Sequence, residues 1–385
     1  MSARLAVLIS FSGQGGVERM VMNLVRQLAL FSELQIDLLL IRAQGPHLVD
    51  IPENINVIHL RARHTLTSIP ELTRYIRRQR PDAMLVAKDR AGRAALTANA
   101  LAKIVANHAQ VKVNTRIVIR LGTNLSTALA QRSAFNRWLR TAPMRFLYPR
   151  AYKVIAVSEG VRQDTLLLAR LSPDAVEVVR NPVITDAMLS GAGESNPHPW
   201  LAGDTPVVLG VGRLSRQKDF PTLINAFAKA RQSRDLRLII LGEGGDREAL
   251  QQLINRLGIA DAVAMPGFDA NPYRWLSRAD LFVLSSRWEG SPNALTEALA
   301  LGVPSISTRC PSGPDETLAE GRYGTLLEMG DSDAMAEAML ATLVSPLPAA
   351  TLKQAVSEYK DHISAQHYLR LLGLQALAQP PELER

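Results

Sequence analysis

The chain has 385 residues, of which 47% are hydrophobic and 21% are charged, and its formal net charge is +8. That length is too great for one ordinary hydrophobic core, so we expect two soluble globular domains. No apolar run approaches the length needed to cross a bilayer, and the strand-like start at Leu5–Ile9 predicts no signal peptide. The single cysteine, Cys310, excludes an internal disulfide and favours a packing role in a reducing, cytoplasmic compartment.

Charge is distributed unevenly between the two halves of the chain. Residues 1–183 hold 26 Lys+Arg and 12 Asp+Glu, a balance of +14, whereas the remainder balances to −6. From Arg90 to Glu159 there are twelve Lys or Arg and no acidic residue before Glu159 itself. Such a field attracts polyanions, which include an anionic membrane surface, a phosphorylated glycolipid and nucleic acid.

In chain order, the first half alternates β-rich runs with helical patterns, which is typical of a parallel α/β domain. Its predicted elements are the strands Leu5–Ile9, Ile36–Ile41, Asn56–Leu60, Ala83–Ala87, Arg116–Arg120 and Lys153–Val157, with a helix at Val17–Leu30.

The second half restarts the same alternation after a stretch rich in helix breakers, and we place a linker there, near residues 182–204. A final helical segment, Leu352–Leu372, suits packing on either domain. The predicted strands are Val207–Val211, Leu236–Leu241, Val263–Met265, Leu281–Leu284, Val303–Ser307 and Thr325–Leu327, with a helix at Pro221–Arg231.

A glycine-rich turn, residues 12–19, follows the first strand. It is not a dinucleotide fingerprint, because the third glycine of that motif would fall at Glu18. The second strand also ends at Arg42 without an acidic residue to hold a ribose, so NAD binding is not expected. A tight strand-to-helix turn accounts for the glycines in any case.

The most informative segment begins near residue 285 and contains two glutamates around a helix start. Ser291 suits the N-cap and Pro292 the first helical position, so Glu289 lies in the preceding loop and Glu297 inside the helix. The free N–H groups of Asn293 and Ala294, together with the helix dipole, form a site for a phosphate or diphosphate. The carboxylates of Glu289 and Glu297, on either side of this anion site, can accept hydrogen bonds from the hydroxyls of a ribose and a second sugar. The segment therefore predicts a nucleotide-sugar pocket.

This part of the sequence resembles the retaining glycosyltransferases of family four, which have the GT-B fold. The resemblance is dense in residues 207–316 and sparse in 40–150. The matching motifs are Glu289-Gly290-x-Pro292, Glu297-Ala298, Gly302-x-Pro304, Ser312-Gly313-Pro314-x-Glu316 and Gly212-Arg213-Leu214-x-x-x-Lys218-Asp219.

The resemblance implies an α/β protein of two Rossmann-like, doubly wound domains that face each other across a cleft. Residues 1–182 would bind the acceptor and residues 183–366 the nucleotide-sugar. In this family a C-terminal helix or tail, here 367–385, crosses back to the first domain.

By the same resemblance, Arg213 and Lys218 clamp the diphosphate of the donor, Glu297 holds the ribose, and Glu289 binds the transferred sugar. Fixed cations stabilise the charge that builds up on a departing nucleoside diphosphate. The remaining donor-binding residues would be Gly15 and Gly16, the strand-end residues Gly212, Gly242, Gly244, Gly267 and Phe268, and the helix start Gly290, Ser291, Pro292, Asn293 and Ala294.

A cationic clamp can replace Mg²⁺, and no Asp-x-Asp pair ends a strand, so no metal or other cofactor is expected. The pair Asp331 and Asp333 precedes a helix and is interpreted as an N-cap.

By resemblance the transfer retains anomeric configuration, with the leaving phosphate oxygen taking the acceptor proton. The turn at Gly15-Gly16 and the Cys310-Pro311 variant are similar to bacterial enzymes that build surface polysaccharides and glycolipids from UDP-sugars. A hexose or N-acetylhexosamine is the expected sugar, and a glycolipid, lipopolysaccharide or lipid-linked oligosaccharide the acceptor.

One departure from the family concerns the acceptor site. Many relatives carry a histidine just after an N-domain strand, whereas the matching stretch here, Arg120 to Asn124, has none. Either Arg120 or Asn124 serves in its place, or the acceptor chemistry differs.

The segment Arg132–Arg150 interleaves five arginines with aromatic and aliphatic residues. This pattern suits a helix at a lipid headgroup layer, on the cytoplasmic face of the inner membrane. It also suits a helix that packs its apolar face on its own domain. The two interpretations are balanced for Phe135–Leu139, and packing is favoured beyond Pro143.

Two other classes stay open at this stage. One is a GT-B enzyme of different chemistry, such as a sugar-nucleotide epimerase or a phosphorylase. The other is a non-enzymatic polyanion-binding protein. No aromatic stacking motif, zinc site or recognition-helix pattern supports nucleic acid as a partner.

Overall fold

A computed structural model of the protein describes residues 2–10, 16–41, 51–108, 110 and 112–377. The chain forms two compact units: unit 1 comprises Met1–Pro182 and Asp361–Arg385, and unit 2 comprises Val183–Lys360. The chain thus returns to unit 1 at Asp361. The resemblance predicted this return for the segment 367–385, which begins six residues later.

Unit 1 contains a parallel sheet of seven strands within the described residues, in the order β3-β2-β1-β4-β5-β6-β7. Helices cover both faces of this sheet, which explains why its central strands are almost continuously apolar rather than alternating. The strands are β1 (Ala3–Ile9), β2 (Leu34–Leu40), β3 (Ile55–His59), β4 (Ala83–Ala87), β5 (Arg116–Leu121), β6 (Lys153–Ala156) and β7 (Val176–Val178).

The helices of unit 1 form two layers. Leu5 and Val7 of β1 pack in one cluster with the first and the last helix of the chain, and Ala6 and Leu8 pack in a second cluster on the opposite face. The helices are α1 (Gly16–Leu28), α2 (Ile69–Gln79), α3 (Asp89–His108), α4 (Leu125–Leu129), α5 (Ala134–Leu147) and α6 (Glu159–Ala169), and the unit is completed by a final helix at Asp361–Leu371.

Unit 2 contains a second parallel sheet, with six strands in its described residues, in the order β10-β9-β8-β11-β12-β13. The strands are β8 (Val207–Val211), β9 (Arg237–Leu241), β10 (Val263–Gly267), β11 (Leu281–Leu284), β12 (Ser305–Thr308) and β13 (Leu326–Leu327). The helices are α7 (Asp186–Ala192), α8 (Phe220–Ala230), α9 (Arg247–Arg256), α10 (Tyr273–Leu276), α11 (Asn293–Ala300), α12 (Pro314–Thr317), α13 (Ser332–Val344) and α14 (Ala349–Gln354), and the helix at Asp361–Leu371 is therefore α15.

Both sheets have the doubly wound strand order, in which the chain reverses direction across the sheet beside its first strand. The reversal lies between β1 and β4 in unit 1 and between β8 and β11 in unit 2. In open parallel sheets, ligands bind at the carboxyl ends of the strands at this switch point. The predicted α/β fold class, with two Rossmann-like domains, is confirmed.

The linker expected near residues 182–204 is wrong, because that stretch contains α7 and packs within unit 2. The Thr185 hydroxyl caps α7 by accepting a hydrogen bond from the Met188 N–H, and Met188 is fully buried. The Asn271 amide also donates to the Gly191 carbonyl at 2.9 Å. Breaker residues therefore mark capped turns here rather than a free connection.

The single helical segment expected at Leu352–Leu372 is also wrong. The chain leaves helical geometry between α14 and α15, where Lys360 is extended. The Val183 and Ile184 N–H groups both donate to the Tyr359 carbonyl at 3.0 Å, so this break ties the two ends of unit 2 together. The sequence analysis also missed β7, which has only three residues.

The packing of α15 yields a stability prediction. Leu369 is fully buried against the core of unit 1, so Leu369→Ala should destabilise the protein by about 2–5 kcal/mol through lost burial and a residual cavity. Urea unfolding followed by fluorescence measures this change. The neighbouring exposed Gln366→Ala should leave the unfolding midpoint unchanged. Equal midpoints for the two variants would contradict the assignment of α15 to the core of unit 1.

Candidate active site

Two loops at the switch point of unit 2 are joined to each other by hydrogen bonds. The β8 loop comprises residues 212–219, and the β11 loop comprises residues 285–292. The Arg287 N–H donates to the Gln217 carbonyl at 2.8 Å, and the Gln217 amide donates to the Trp288 carbonyl at 2.9 Å. The Ser285 hydroxyl donates to the Lys218 carbonyl at 2.7 Å. These bonds fix the position of the side chains that project from either loop.

An ion pair between Lys218 and Glu289 lies at the centre of this arrangement. The lysine Nζ is 2.6 Å from the glutamate Oε1, and the two side chains are only 17% and 8% exposed. The Ser286 hydroxyl donates to the same oxygen at 2.7 Å. Both charged residues were predicted from the sequence as ligand-binding groups, but their direct pairing was not. A pair this buried is costly to separate and holds both groups in one geometry.

Asp219 orients the β8 loop from its far end. Its backbone adopts the left-handed conformation with φ 48°, and its buried carboxylate accepts hydrogen bonds from Thr222 at 2.9 Å and Arg287 at 3.2 Å. A non-glycine residue in this conformation is strained unless its surroundings impose it. Here the two bonds impose it and thereby direct the adjacent Lys218 towards Glu289.

Arg213 offers a positive charge that is not already neutralised. The residue is exposed in the β8 loop, and among the described residues its guanidinium forms no ion pair. The β8 loop therefore carries the exposed Arg213 and the paired Lys218, together with a second exposed arginine, Arg216.

The start of α11 differs from the sequence prediction. The helix begins at Asn293, and Pro292 occupies the N-cap with ψ 85° and no side-chain cap bond. The predicted N-cap role of Ser291 is therefore wrong. This turn is closely packed against the segment around Gly313, because a Cβ on Gly313 would lie 2.5 Å from Cδ of Pro292. Glu289 nevertheless lies in the loop before the helix.

The side chain of Glu297 lies within α11, as expected, and the residue is 1% exposed. Asn293 and Ala294, which form the first helical turn, are partly exposed, whereas Gly290 is buried. These residues lie where the sequence placed them, and their donor-binding roles stay predictions.

The glycines of the strand-end loops are required by backbone packing. A Cβ on Gly242 would collide with the carbonyl oxygen of Gly212, and one on Gly244 would collide with that of Leu214. The Gly242 N–H also donates to the Gly267 carbonyl at 2.7 Å. Close contact between neighbouring loops therefore explains these glycines independently of any ligand. Phe268 is 40% exposed beside them.

Cys310 lies near Glu289 in the core of the site. Burial first, and then the negative charge of Glu289, raise the pKa of its thiol to about 12. The thiol is 2% exposed and stays protonated at neutral pH. These properties fit the packing role that the sequence indicated.

Asp331 is an N-cap, as predicted. Its carboxylate accepts hydrogen bonds from the N–H groups of Asp333 at 3.1 Å and Ala334 at 2.9 Å. Within the described residues, His, Cys, Asp and Glu side chains form no group of three or more that could hold a metal ion.

Unit 1 has a second charged pair at its own switch point, which the sequence analysis missed. Lys88 follows β4 in a left-handed conformation with φ 79°, and its Nζ lies 2.7 Å from Glu18 and 3.1 Å from the Ser10 carbonyl oxygen. Glu18 is 3% exposed. Gly16 is the first residue of α1, and Gly15 lies outside the described residues. The two partners are 70 positions apart, so no local pattern reveals the pair.

Arg120 and Asn124 belong to the framework of unit 1. Arg120 is 2% exposed and donates to the side-chain oxygen of Asn181 at 2.5 Å. Burial raises the pKa of Tyr368 in α15, and the neighbouring positive charge of Arg120 opposes that shift. The Asn124 side chain caps α4 by accepting from the Thr127 N–H at 3.0 Å. Their proposed contact with the acceptor stays a prediction.

The helix α5 exposes most of its large apolar side chains. Ser133 caps it, and Met144 is buried against unit 1. In contrast, Phe135, Trp138 and Phe146 are 68%, 57% and 70% exposed. The preference for packing beyond Pro143 is therefore wrong at Phe146, because this side chain projects from the face of the helix opposite to Met144. No helix among the described residues is both long and apolar enough to cross a membrane.

The two doubly wound units and the charged loops at a switch point define the GT-B class of proteins. The family model for Glycosyltransferase Family 4 matches residues 14–187, and the model for Glycosyl transferases group 1 matches residues 195–360. The chain therefore belongs to this glycosyltransferase family.

Similar proteins come from several bacteria. One is the N-acetylgalactosamine-N,N'-diacetylbacillosaminyl-diphospho-undecaprenol 4-alpha-N-acetylgalactosaminyltransferase of Campylobacter jejuni, which is 30% identical over 60% of this chain and 60% of its own length. The lipopolysaccharide 1,6-galactosyltransferase of Escherichia coli is 29% identical over 46% of this chain and 48% of its own. The chain thus spans about half the length of these curated relatives. The crystal structure of Anabaena HepE in complex with UDP has a TM-score of 0.75 and 19% identity, covering 96% of this chain and 99% of that one.

The buried ion pair can be tested by a double-mutant cycle. Lys218→Met leaves the carboxylate of Glu289 without its cation and should destabilise the protein by about 3–5 kcal/mol. Adding Glu289→Leu removes the uncompensated charge, so the double variant should be more stable than Lys218→Met alone. Chemical unfolding of the four proteins gives the coupling free energy.

The exposed pair Lys229 and Asp333 provides a matched control. Its side chains are 41% and 79% exposed, so its coupling free energy should stay below about 1 kcal/mol. A coupling between Lys218 and Glu289 that is no larger than this control would show that the pair does not organise the site.

Proposed function

We propose that the protein is a retaining, metal-independent glycosyltransferase. It moves a hexose or N-acetylhexosamine from a UDP-sugar to a glycolipid, lipopolysaccharide or lipid-linked oligosaccharide. The observation that carries the proposal is the joined pair of loops at the switch point of unit 2, which pairs Lys218 with Glu289 and carries the exposed Arg213 in the same β8 loop. The named activities of the Campylobacter and Escherichia relatives support the acceptor class, and the UDP complex of HepE supports the nucleotide.

In the proposed reaction, Arg213 and the first turn of α11 bind the diphosphate of the donor. The bond from the anomeric carbon to the β-phosphate oxygen breaks, and a bond from the same carbon to the acceptor hydroxyl oxygen forms on the same face. The acceptor proton passes to the departing phosphate oxygen. Arg213 stabilises the negative charge that develops on this leaving group, because preorganised cations act most strongly where charge appears.

The ion pair has a specific part in this scheme. Lys218 holds the carboxylate of Glu289 in position, so that its oxygens accept hydrogen bonds from hydroxyls of the transferred sugar. Lys218 also adds positive charge near the diphosphate. Unlike a metal ion taken up from solution, this lysine is fixed in the protein and carries no hydration sphere. Glu297 accepts hydrogen bonds from the ribose hydroxyls. No step then requires a divalent metal.

Ligand-dependent stabilisation tests the donor assignment. With EDTA present, UDP at about a hundred times its Kd should raise Tm by roughly 5 °C, whereas GDP and ADP should have little effect. Arg213→Ala removes a charge-assisted hydrogen bond to the phosphates, so UDP binding should weaken about tenfold to a hundredfold. Glu297→Ala should weaken it as well. Differential scanning fluorimetry and calorimetric titration provide these measurements.

Arg256→Ala is the control, since Arg256 is an exposed arginine of α9 that lies outside both loops. It should bind UDP as the unmodified protein does. A loss of UDP binding in this variant, or equal binding in Arg213→Ala, would remove the β8 loop from the donor site. If no nucleotide binds, the proposed function fails.

We further propose that the protein works at an anionic membrane surface on the cytoplasmic side. The exposed Phe135 and Trp138 of α5 stack on each other, with ring centroids 6.2 Å apart. Arginines surround them, and this combination of exposed rings and positive charge suits a lipid headgroup layer.

Flotation with lipid vesicles tests the membrane proposal. The protein should float with phosphatidylglycerol vesicles and much less with phosphatidylcholine, and Trp138→Ser should reduce the floated fraction severalfold. Leu167 of α6 is 77% exposed, so Leu167→Ser is a matched loss of apolar surface that should have no effect. Equal flotation of the two variants would show that α5 does not contact lipid.

A further inference from the structure

A large cavity lies at the carboxyl edge of the sheet in unit 1, beside the switch point between β1 and β4. Its volume is about 930 Å³. Six cationic residues line it against a single lining carboxylate among the described residues, Asp89. We name it the basic cavity, and its cationic residues are Arg63, Lys88, Arg90, Arg93, Arg120 and Arg140.

The one carboxylate of the basic cavity is already engaged. One oxygen of Asp89 lies 2.8 Å from the Arg93 guanidinium, and the other accepts a hydrogen bond from the Tyr148 hydroxyl at 2.9 Å. Lys88 is paired with Glu18 behind the cavity wall. The cavity therefore retains a strong excess of positive charge.

Arg90 and Arg140 supply positive charge that protein groups do not neutralise. Neither guanidinium forms an ion pair in the part of the chain that the structure describes. Burial, followed by the positive charges of Arg90, Arg132 and Arg93, lowers the pKa of Arg140. Mutual repulsion among cations that line one cavity is unfavourable, and a bound anion would relieve it.

An apolar groove runs along α5 from the same cavity. Its volume is about 340 Å³, and three of its lining residues, Leu139, Pro143 and Leu147, also line the basic cavity. The groove further includes the exposed rings of Trp138 and Phe146. The basic cavity and the apolar groove therefore share part of their lining on α5.

We propose that the basic cavity and the groove of α5 bind a phosphate-bearing lipid, with its phosphate between Arg90 and Arg140 and its apolar chain along α5. This inference rests on the proposed function, in that the lipid is the sugar acceptor. It specifies the acceptor as an amphiphile whose phosphate lies next to its hydrocarbon chain. A neutral lipid would leave the two arginines uncompensated, and a free anion would leave the groove empty.

Calorimetric titration of the full chain with farnesyl diphosphate tests the proposal. Arg90→Ala and Arg140→Ala should each weaken binding about tenfold to a hundredfold, because each removes a charge-assisted contact to phosphate. Leu139→Asn should weaken binding of farnesyl diphosphate but not of inorganic diphosphate, which lacks the chain. Farnesol should bind weakly and equally to all arginine variants.

The control is Arg78→Ala, which removes an exposed arginine of α2 outside the cavity. It should bind farnesyl diphosphate like the unmodified protein. Equal affinities for Arg78→Ala, Arg90→Ala and Arg140→Ala would overturn the proposal, and so would displacement of farnesyl diphosphate by UDP.

UDP titrations of the same samples separate the two levels of inference. If UDP binds to every variant while the arginine substitutions leave the affinity for farnesyl diphosphate unchanged, the proposed lipid site is wrong and the proposed donor site stands. If UDP binds to none of them, the proposed function is wrong, and the response of farnesyl diphosphate binding to the arginine substitutions still decides the lipid site.

Discussion

The reversal of strand order beside the first strand of each sheet is the constraint on which the other features depend. Neighbouring parallel strands whose connections run to opposite faces leave a gap at their carboxyl ends, where no helix covers the backbone. In unit 2 this gap lies between the loops that follow β8 and β11, and it contains the ion pair of Lys218 and Glu289. In unit 1 it lies at the carboxyl ends of β1 and β4, and it contains Lys88 and the basic cavity. One topological rule therefore positions charged groups in both units.

At both positions a lysine is paired with a buried glutamate. Burying two charges costs desolvation free energy that their attraction repays only in favourable geometry. The short contacts, 2.6 Å in unit 2 and 2.7 Å in unit 1, provide that geometry. The left-handed backbone of Asp219 and of Lys88 adds local strain beside each pair. Stability alone does not require this combination, whereas a site that must hold charge in a fixed orientation does.

Much of the fold follows from the sequence, because buried parallel strands give apolar runs that are easy to recognise. The positions of most strands along the chain were accessible in this way, and the pattern of a helix start placed Glu289 before α11 and Glu297 within it. Features that are set by contacts between distant residues could not be predicted from local sequence patterns. Ser291 satisfies the local pattern of an N-cap, yet Pro292 occupies that position, in a turn that is packed closely against Gly313. The pair of Lys88 with Glu18 and the burial of Arg120 likewise depend on residues far apart in the chain.

Charge is also divided between the two units in a way that matches their chemistry. In the proposed reaction, a departing nucleoside diphosphate needs a few cations in fixed positions, and Arg213 and Lys218 would supply them from an otherwise acidic half of the chain. A lipid phosphate at a membrane surface needs a broader positive field, which also lowers the electrostatic free energy of the approaching headgroup. Residues 1–183 carry an excess of +14, and six of their cationic residues line the basic cavity. In the proposed lipid site, a bound phosphate accounts for the positive charges of Arg90 and Arg140, which have no ion-pair partner among the described residues.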